Sequence, residues 1–364
     1  MPSVLAFPYL GMCKRSRVVC MLCIALVALV EAFLLAFNAH ANPLPYGVFS
    51  LTPVGKSVNS AILTNPLVAG VTIRGRWQDV ERSEGVYDWS YFDQQIARVG
   101  NAGKQILLRI TSGGQNTPQW VFDAGVQTFS FVNGGSGETV TIPVFWDPIF
   151  LEKKKNFTAA MGEHFAATPH IVLVSTSCAN ATTDDWVVPS TKTDISNWQA
   201  VGYTSEKLIG ACKDIIDATL AAFPNQYAFM AIGRSKKGLD PNVDYVAEHV
   251  LAYTLANYPT NFIAQKNSLS ARTWDPLVAT QLHGWQVLYD YCPMVAGQML
   301  WYVTDDLTCR MNGKIIPCDP VQVLHQAVTI GAHYEMLYQE IYQKDILNPE
   351  LAGVIEAAAS MLSQ

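Results

Sequence analysis

The stretch Gln105-Ile106-Leu107-Leu108-Arg109-Ile110-Thr111-Ser112-Gly113 decides the fold. Its apolar residues run on continuously instead of alternating with polar ones. That is the pattern of a parallel strand buried on both faces, ending in a polar tip. Seven more runs of this shape lie on either side of it: Tyr46–Leu51, Val68–Trp77, Ile171–Asn180, Tyr227–Arg234, Asn261–Ser270, Val295–Trp301 and Leu337–Tyr342. Helix-like segments fill the gaps. Eight strand–helix units predict an α/β chain folded as one (β/α)8 (TIM) barrel. Residues 126–145 break the rhythm. They alternate apolar and polar around Asn133-Gly134-Gly135 and predict a β-hairpin inserted after the third strand. In such a barrel the chemistry sits at the C-terminal strand ends, so the last residues of each run are the ones to interrogate.

The first forty residues stand apart. Lys14, Arg15 and Arg17 form a basic region, Val18 to Phe37 is apolar apart from Glu31, and Ala39-His40-Ala41 offers a small-x-small cleavage site. This reads as a signal peptide over residues 1–41, with a barrel domain over 42–364. The alternative is a membrane anchor, since the apolar stretch approaches the roughly 20 residues a span needs. The expectation is a secreted or periplasmic protein that meets a membrane only through an uncleaved leader.

The chain carries a net charge of −6, and loss of the leader makes it more acidic. The run Lys153-Lys154-Lys155 reads as one solvated helix turn. Nucleic acid is therefore a poor partner. Without a phosphate loop or dinucleotide fingerprint, a nucleotide is one too. Beyond the leader lie Cys178, Cys212, Cys292, Cys309 and Cys318. Cys309 and Cys318 flank a short loop and predict one disulfide. Cys178, at a strand end, and Cys212, in the next helix, predict a second, leaving Cys292 unpaired. Neither Cys-x-x-Cys nor His-x-x-x-His occurs in this part, so no metal and no cofactor are expected.

Arg74 and Arg109 each lie in a strand otherwise built of Val, Ile and Leu. A guanidinium there must be paired or must line a polar pocket. It either contacts a substrate hydroxyl or carboxylate, or pairs with Glu340 or an aspartate. Glu340 is itself an acid within an apolar run, and Asp184 and Asp185 follow the fourth run closely. Hydrolysis of a glycosidic bond needs one protonated carboxyl to release the leaving oxygen and one ionised carboxyl to attack or to activate water. Glu340 with Asp184 or Asp185 is the candidate pair. Asn180, Gln265, Asn267, Gln298 and Trp301 add amides and an aromatic platform for substrate.

The segment from Arg76 to Trp120 resembles the N-terminal barrel of glycoside hydrolase family 42 and related retaining β-glycosidases. The resemblance rests on Trp77, the stretch Glu81-Arg82-Ser83-Glu84-Gly85-Val86-Tyr87-Asp88-Trp89, Asp93, Gly103 and Pro118-Gln119-Trp120. It implies a carbohydrate-active barrel acting on oligo- or polysaccharide, with a β-galactosidase-type activity. It also implies an acid/base glutamate after an asparagine at the fourth strand end and a nucleophilic glutamate at the seventh, about 5 Å apart. This chain departs at both, with Asn180-Ala181 and Gln298. Three readings remain open: a hydrolase using other carboxyls, a barrel that binds sugar without cutting it, and a structural or interaction protein of the cell envelope. Free carboxyls facing each other across the mouth favour the first. Carboxylates occupied by Arg74 and Arg109 favour the second. A mouth filled by the hairpin and the Cys309–Cys318 loop favours the third.

Overall fold

Eight parallel strands close on one another in the computed structural model, which describes residues 43–133, 136–189, 191–235, 237–278, 285–292 and 294–363. In chain order they are β1 (Gly47–Leu51), β2 (Val68–Arg76), β3 (Gln105–Thr111), then, after a hairpin of β4 (Thr128–Val132) and β5 (Thr139–Pro143), β6 (Ile171–Thr176), β7 (Tyr227–Ala231), β8 (Phe262–Leu269), β9 (Val295–Met299) and β10 (Tyr338–Tyr342). Each barrel strand pairs with the next, and β10 closes onto β1. The (β/α)8 fold and the inserted hairpin are as the sequence predicts. The leader, and Gly134 and Gly135 at the hairpin turn, lie outside the described residues.

Two cores follow from the period-2 geometry of a strand. Residues facing outward, such as Val71, Ile73, Leu108 and Val174, pack under the helices. Residues facing inward, including Phe49, Leu107, Phe229 and Ile263, fill the N-terminal half of the barrel. Gly70 is required here, because a Cβ at that position would fall 2.3 Å from the Phe49 ring. Two residues further up the same inward face of β2 come Thr72 and then Arg74, so the filling turns polar towards the C-terminal mouth.

Both predicted disulfides form, Cys178–Cys212 and Cys309–Cys318, and Cys292 is buried with its thiol donating to the Tyr334 carbonyl at 3.2 Å. Two details differ from the sequence reading. Trp77, the last residue of the second run and by that position expected at the rim, is not there. β2 runs directly into the helix Trp77–Val80, and the indole is fully buried, stacked 5.1 Å from the Phe157 ring. Nor is the run Lys153–Lys155 a wholly solvated turn. Helical rotation sends Lys154 inward, where it is 1% exposed, while Lys153 stays out to meet Glu84. No described helix is long and apolar enough to cross a membrane.

Candidate active site

Arg109 is the hub of the polar half of the barrel. It sits on β3 in direct register with Arg74 on β2. Two like charges side by side on neighbouring strands repel. The loop after β6 resolves this by inserting Asp184, which accepts from Arg74 at 3.1 Å and from Arg109 at 2.8 Å. Burial pushes the Asp184 carboxyl up, but the charges of Arg74 and Arg109 outweigh it and hold it at about 2. Arg109 also donates to Gln298 Oε1 at 2.6 Å and to Glu340 Oε2.

Glu340 is held by three donors. Oε1 accepts from the Thr72 hydroxyl, and Oε2 accepts from Arg109 and, at 2.6 Å, from Gln265 Nε2. Gln265 is fixed in turn by Tyr338, whose hydroxyl donates to its Oε1. Glu340 is 0% exposed and is not among the residues that line the cavity. A carboxylate engaged by three donors within the barrel is part of the interior network and does not line the cavity.

Above this network opens a cavity of about 800 Å³, within the range of small-molecule sites. Arg74, Asp184, Asp185, Asn267, Gln298 and Trp301 all line it. Asp185 accepts from Asn267 Nδ2 at 2.7 Å and from the Thr183 hydroxyl at 2.9 Å. Burial, and then the neighbouring Asp184 charge, raises its pKa above that of an ordinary aspartate. Adjacent residues thus present one carboxyl that stays ionised and one that retains its proton more readily.

Of the ten catalytic and substrate-binding candidates, Arg109, Glu340, Gln265 and Asn180 are outside the cavity wall. The first three belong to the network below. Asn180 is 1% exposed, with Nδ2 3.5 Å from the Ser112 carbonyl and Oδ1 unpartnered among the described residues. Ala181, in the place of the acid/base glutamate the resemblance implies, is buried with its N–H on the Val187 carbonyl. Sequence reasoning missed Tyr338 and Tyr342. They alternate with Glu340 on β10, so the period-2 pattern was the available signal. It also missed Tyr302, Arg310 and Lys344, which reach the mouth from loops or a short helix.

The motif that carried the resemblance lies away from this cavity. Trp77 Nε1 donates to Glu81 at 2.6 Å, Gly85 N–H donates to the same carboxylate at 2.7 Å, and Trp120 Nε1 donates to the Glu81 carbonyl at 2.9 Å. These residues build the scaffold under β2 and β3.

Comparison with known proteins agrees with that motif. The profile of glycoside hydrolase family 42, described as beta-galactosidase, matches residues 68–206. A stretch of 99 residues, 26% of this chain, is 27% identical to beta-galactosidase BbgII of Bifidobacterium bifidum, of which it spans 14%. Among solved structures, the catalytic domain of beta-amylase from Paenibacillus polymyxa superposes with a TM-score of 0.58 at 12% identity, over 89% of this chain and 100% of that one. A beta-galactosidase from Rahnella sp. R3 gives 0.42 at 12% identity, over 89% and 56%. The chain is a glycoside hydrolase-like (β/α)8 barrel, similar in part of its sequence to the family 42 beta-galactosidases.

Proposed function

We propose that this barrel binds a saccharide in the cavity at its C-terminal mouth, and that its most deeply buried carboxylates hold the site together without cutting the sugar. One observation carries the reading: Arg109 pairs with both Glu340 and Asp184, and Glu340 is sealed from the cavity. Hydroxyl recognition falls to the amides of Asn267 and Gln298, the hydroxyl of Thr183 and the upper face of Arg74, beside the aromatic wall of Trp301 and Tyr342. Two disulfides support export to an oxidising compartment.

A second reading is favoured by the split between Asp184 and Asp185. Here Asp185 passes its proton to the glycosidic oxygen as the C–O bond breaks. Ionised Asp184 steadies the positive charge on the sugar ring, and water adds to the anomeric carbon and gives a proton back to the Asp185 carboxylate. Calorimetric titration with oligosaccharides, run beside turnover of an aryl glycoside panel by wild type and Asp185→Asn, separates the two. Binding without turnover is the expected result. Turnover lost in Asp185→Asn would establish the hydrolase instead. If wild type neither binds nor cleaves any of the sugars, the saccharide reading falls.

A further inference from the structure

The mouth of the cavity carries cations that the interior carboxylates do not neutralise. Arg310, exposed on the loop after β9, lays its guanidinium 4.0 Å from the centre of the Trp301 ring. Lys344 places its ammonium 4.0 Å from the centre of the Tyr302 ring. Both line the cavity. A cation over an aromatic face is held by the ring quadrupole, so its N–H donors remain available for an anion. Among the described residues, no carboxylate lies within ion-pair distance of the Arg310 guanidinium. Asp306 feels its charge but is engaged by the backbone N–H groups of Thr308 and Arg310. Lys344 has Asp305 at 3.3 Å, but Asp305 is 83% exposed, and pairs of that kind contribute little.

The cavity wall, counted by charge, is unbalanced. Among its described residues stand Arg74, Arg310 and Lys344 against Asp184 and Asp185. Asp184 is already shared between Arg74 and Arg109, and both Asp185 oxygens accept from neutral donors. Arg310 also covers one face of Trp301, so that face is closed to a sugar ring while the cation is in place.

We propose that the cavity selects an anionic saccharide, one bearing a ring carboxylate or a sulfate ester, with the anionic group seated between Arg310 and Lys344. This rests on the saccharide-binding reading and narrows its ligand class. The neutral part of the sugar contacts Asn267, Gln298 and the tyrosine wall. The anionic substituent takes charge-assisted hydrogen bonds from the two cations, which are stronger than neutral ones.

The test titrates the full chain with three probes: a neutral galactose disaccharide, digalacturonate and a sulfated galactose disaccharide, each at low and high salt. The anionic probes should bind about tenfold more tightly than the neutral one, the yield of one charge-assisted contact at a wet rim. That advantage should shrink at high salt and vanish in the double variant Arg310→Gln/Lys344→Gln, whose side chains are exposed enough for the fold to survive. Whichever anionic probe binds more tightly identifies the substituent. Equal or tighter binding of the neutral disaccharide overturns the selectivity and leaves the saccharide reading standing. An advantage that persists in the double variant overturns the assignment to Arg310 and Lys344. No binding of any probe removes both readings.

Discussion

Arg109 and Arg310 each rest against an aromatic ring, Arg109 at 4.9 Å from Phe229 and Arg310 at 4.0 Å from Trp301. They nonetheless have different tasks. Arg109 is 1% exposed and spends its donors on Asp184, Gln298 and Glu340. Arg310 is exposed and has water as the competitor for every contact. Burial raises the cost of an unpaired charge from negligible to several kcal/mol. Inside the barrel, arginine is therefore a fixed part of the scaffold, and at the rim it is free to read a ligand.

The sharpest way to break that contrast is Arg109→Ala. It strands Glu340 and weakens the hold on Asp184, and should lower stability to urea by about 3–5 kcal/mol. Replacing both members, as Arg109→Met/Glu340→Met, should recover most of the loss, because neither charge is then left alone. A loss below about 1 kcal/mol in the single variant would mean that water reaches Glu340, and the distinction between interior and rim would collapse.

Lys154 sharpens the comparison from a third position: a buried cation with no carboxylate in ion-pair reach among the described residues. Its ammonium donates to the Ser177 carbonyl, and burial lowers its pKa to about 7. The unfolded value is near 10.4. The folded chain thus releases the proton more readily than the unfolded one, so stability rises with pH between about 7 and 10.4 and is lowest below 7. Lys154→Met should therefore gain on wild type at pH 6 and lose that gain towards pH 10. A swing of about 1–3 kcal/mol between the two is expected in denaturant titrations. A flat difference would mean that the ammonium is hydrated. The smallest effect belongs to Arg310→Gln, which should stay within about 0.5 kcal/mol of wild type in stability whatever it does to binding.

Much of this architecture can be read in the sequence, because continuous apolar runs have few uses outside a doubly covered parallel sheet. Arg74, Arg109 and Glu340 stand out for the same reason, and pairing of Glu340 with Arg109 was one of the alternatives their burial demands. Depth is less legible. Period 2 says that Gln265 and Glu340 face inward, but not that they are kept out of the cavity wall. That depends on the partners that engage them, Arg109, Thr72 and Tyr338, which come from three different strands. Arg310 and Lys344 carry no periodic signal at all. Their positions come from a loop closed by Cys309–Cys318 and from the short helix Gln343–Ile346 after β10. Lys154 is hidden by its neighbours, since three consecutive lysines look solvated until helical rotation turns one inward.

Closure of β10 onto β1 also has a consequence in time. Glu340 lies 231 residues after Arg109 in the chain. At a synthesis rate of about 5–20 residues per second, roughly ten to fifty seconds separate the appearance of the two partners. Through that interval the nascent chain offers Arg109 only Asp184, which Arg74 shares, and the guanidinium nitrogen that will meet Glu340 would be costly to desolvate. Water must therefore stay at the barrel's centre until the final strand arrives, so the last barrel strand made is also the one that lets the interior dry.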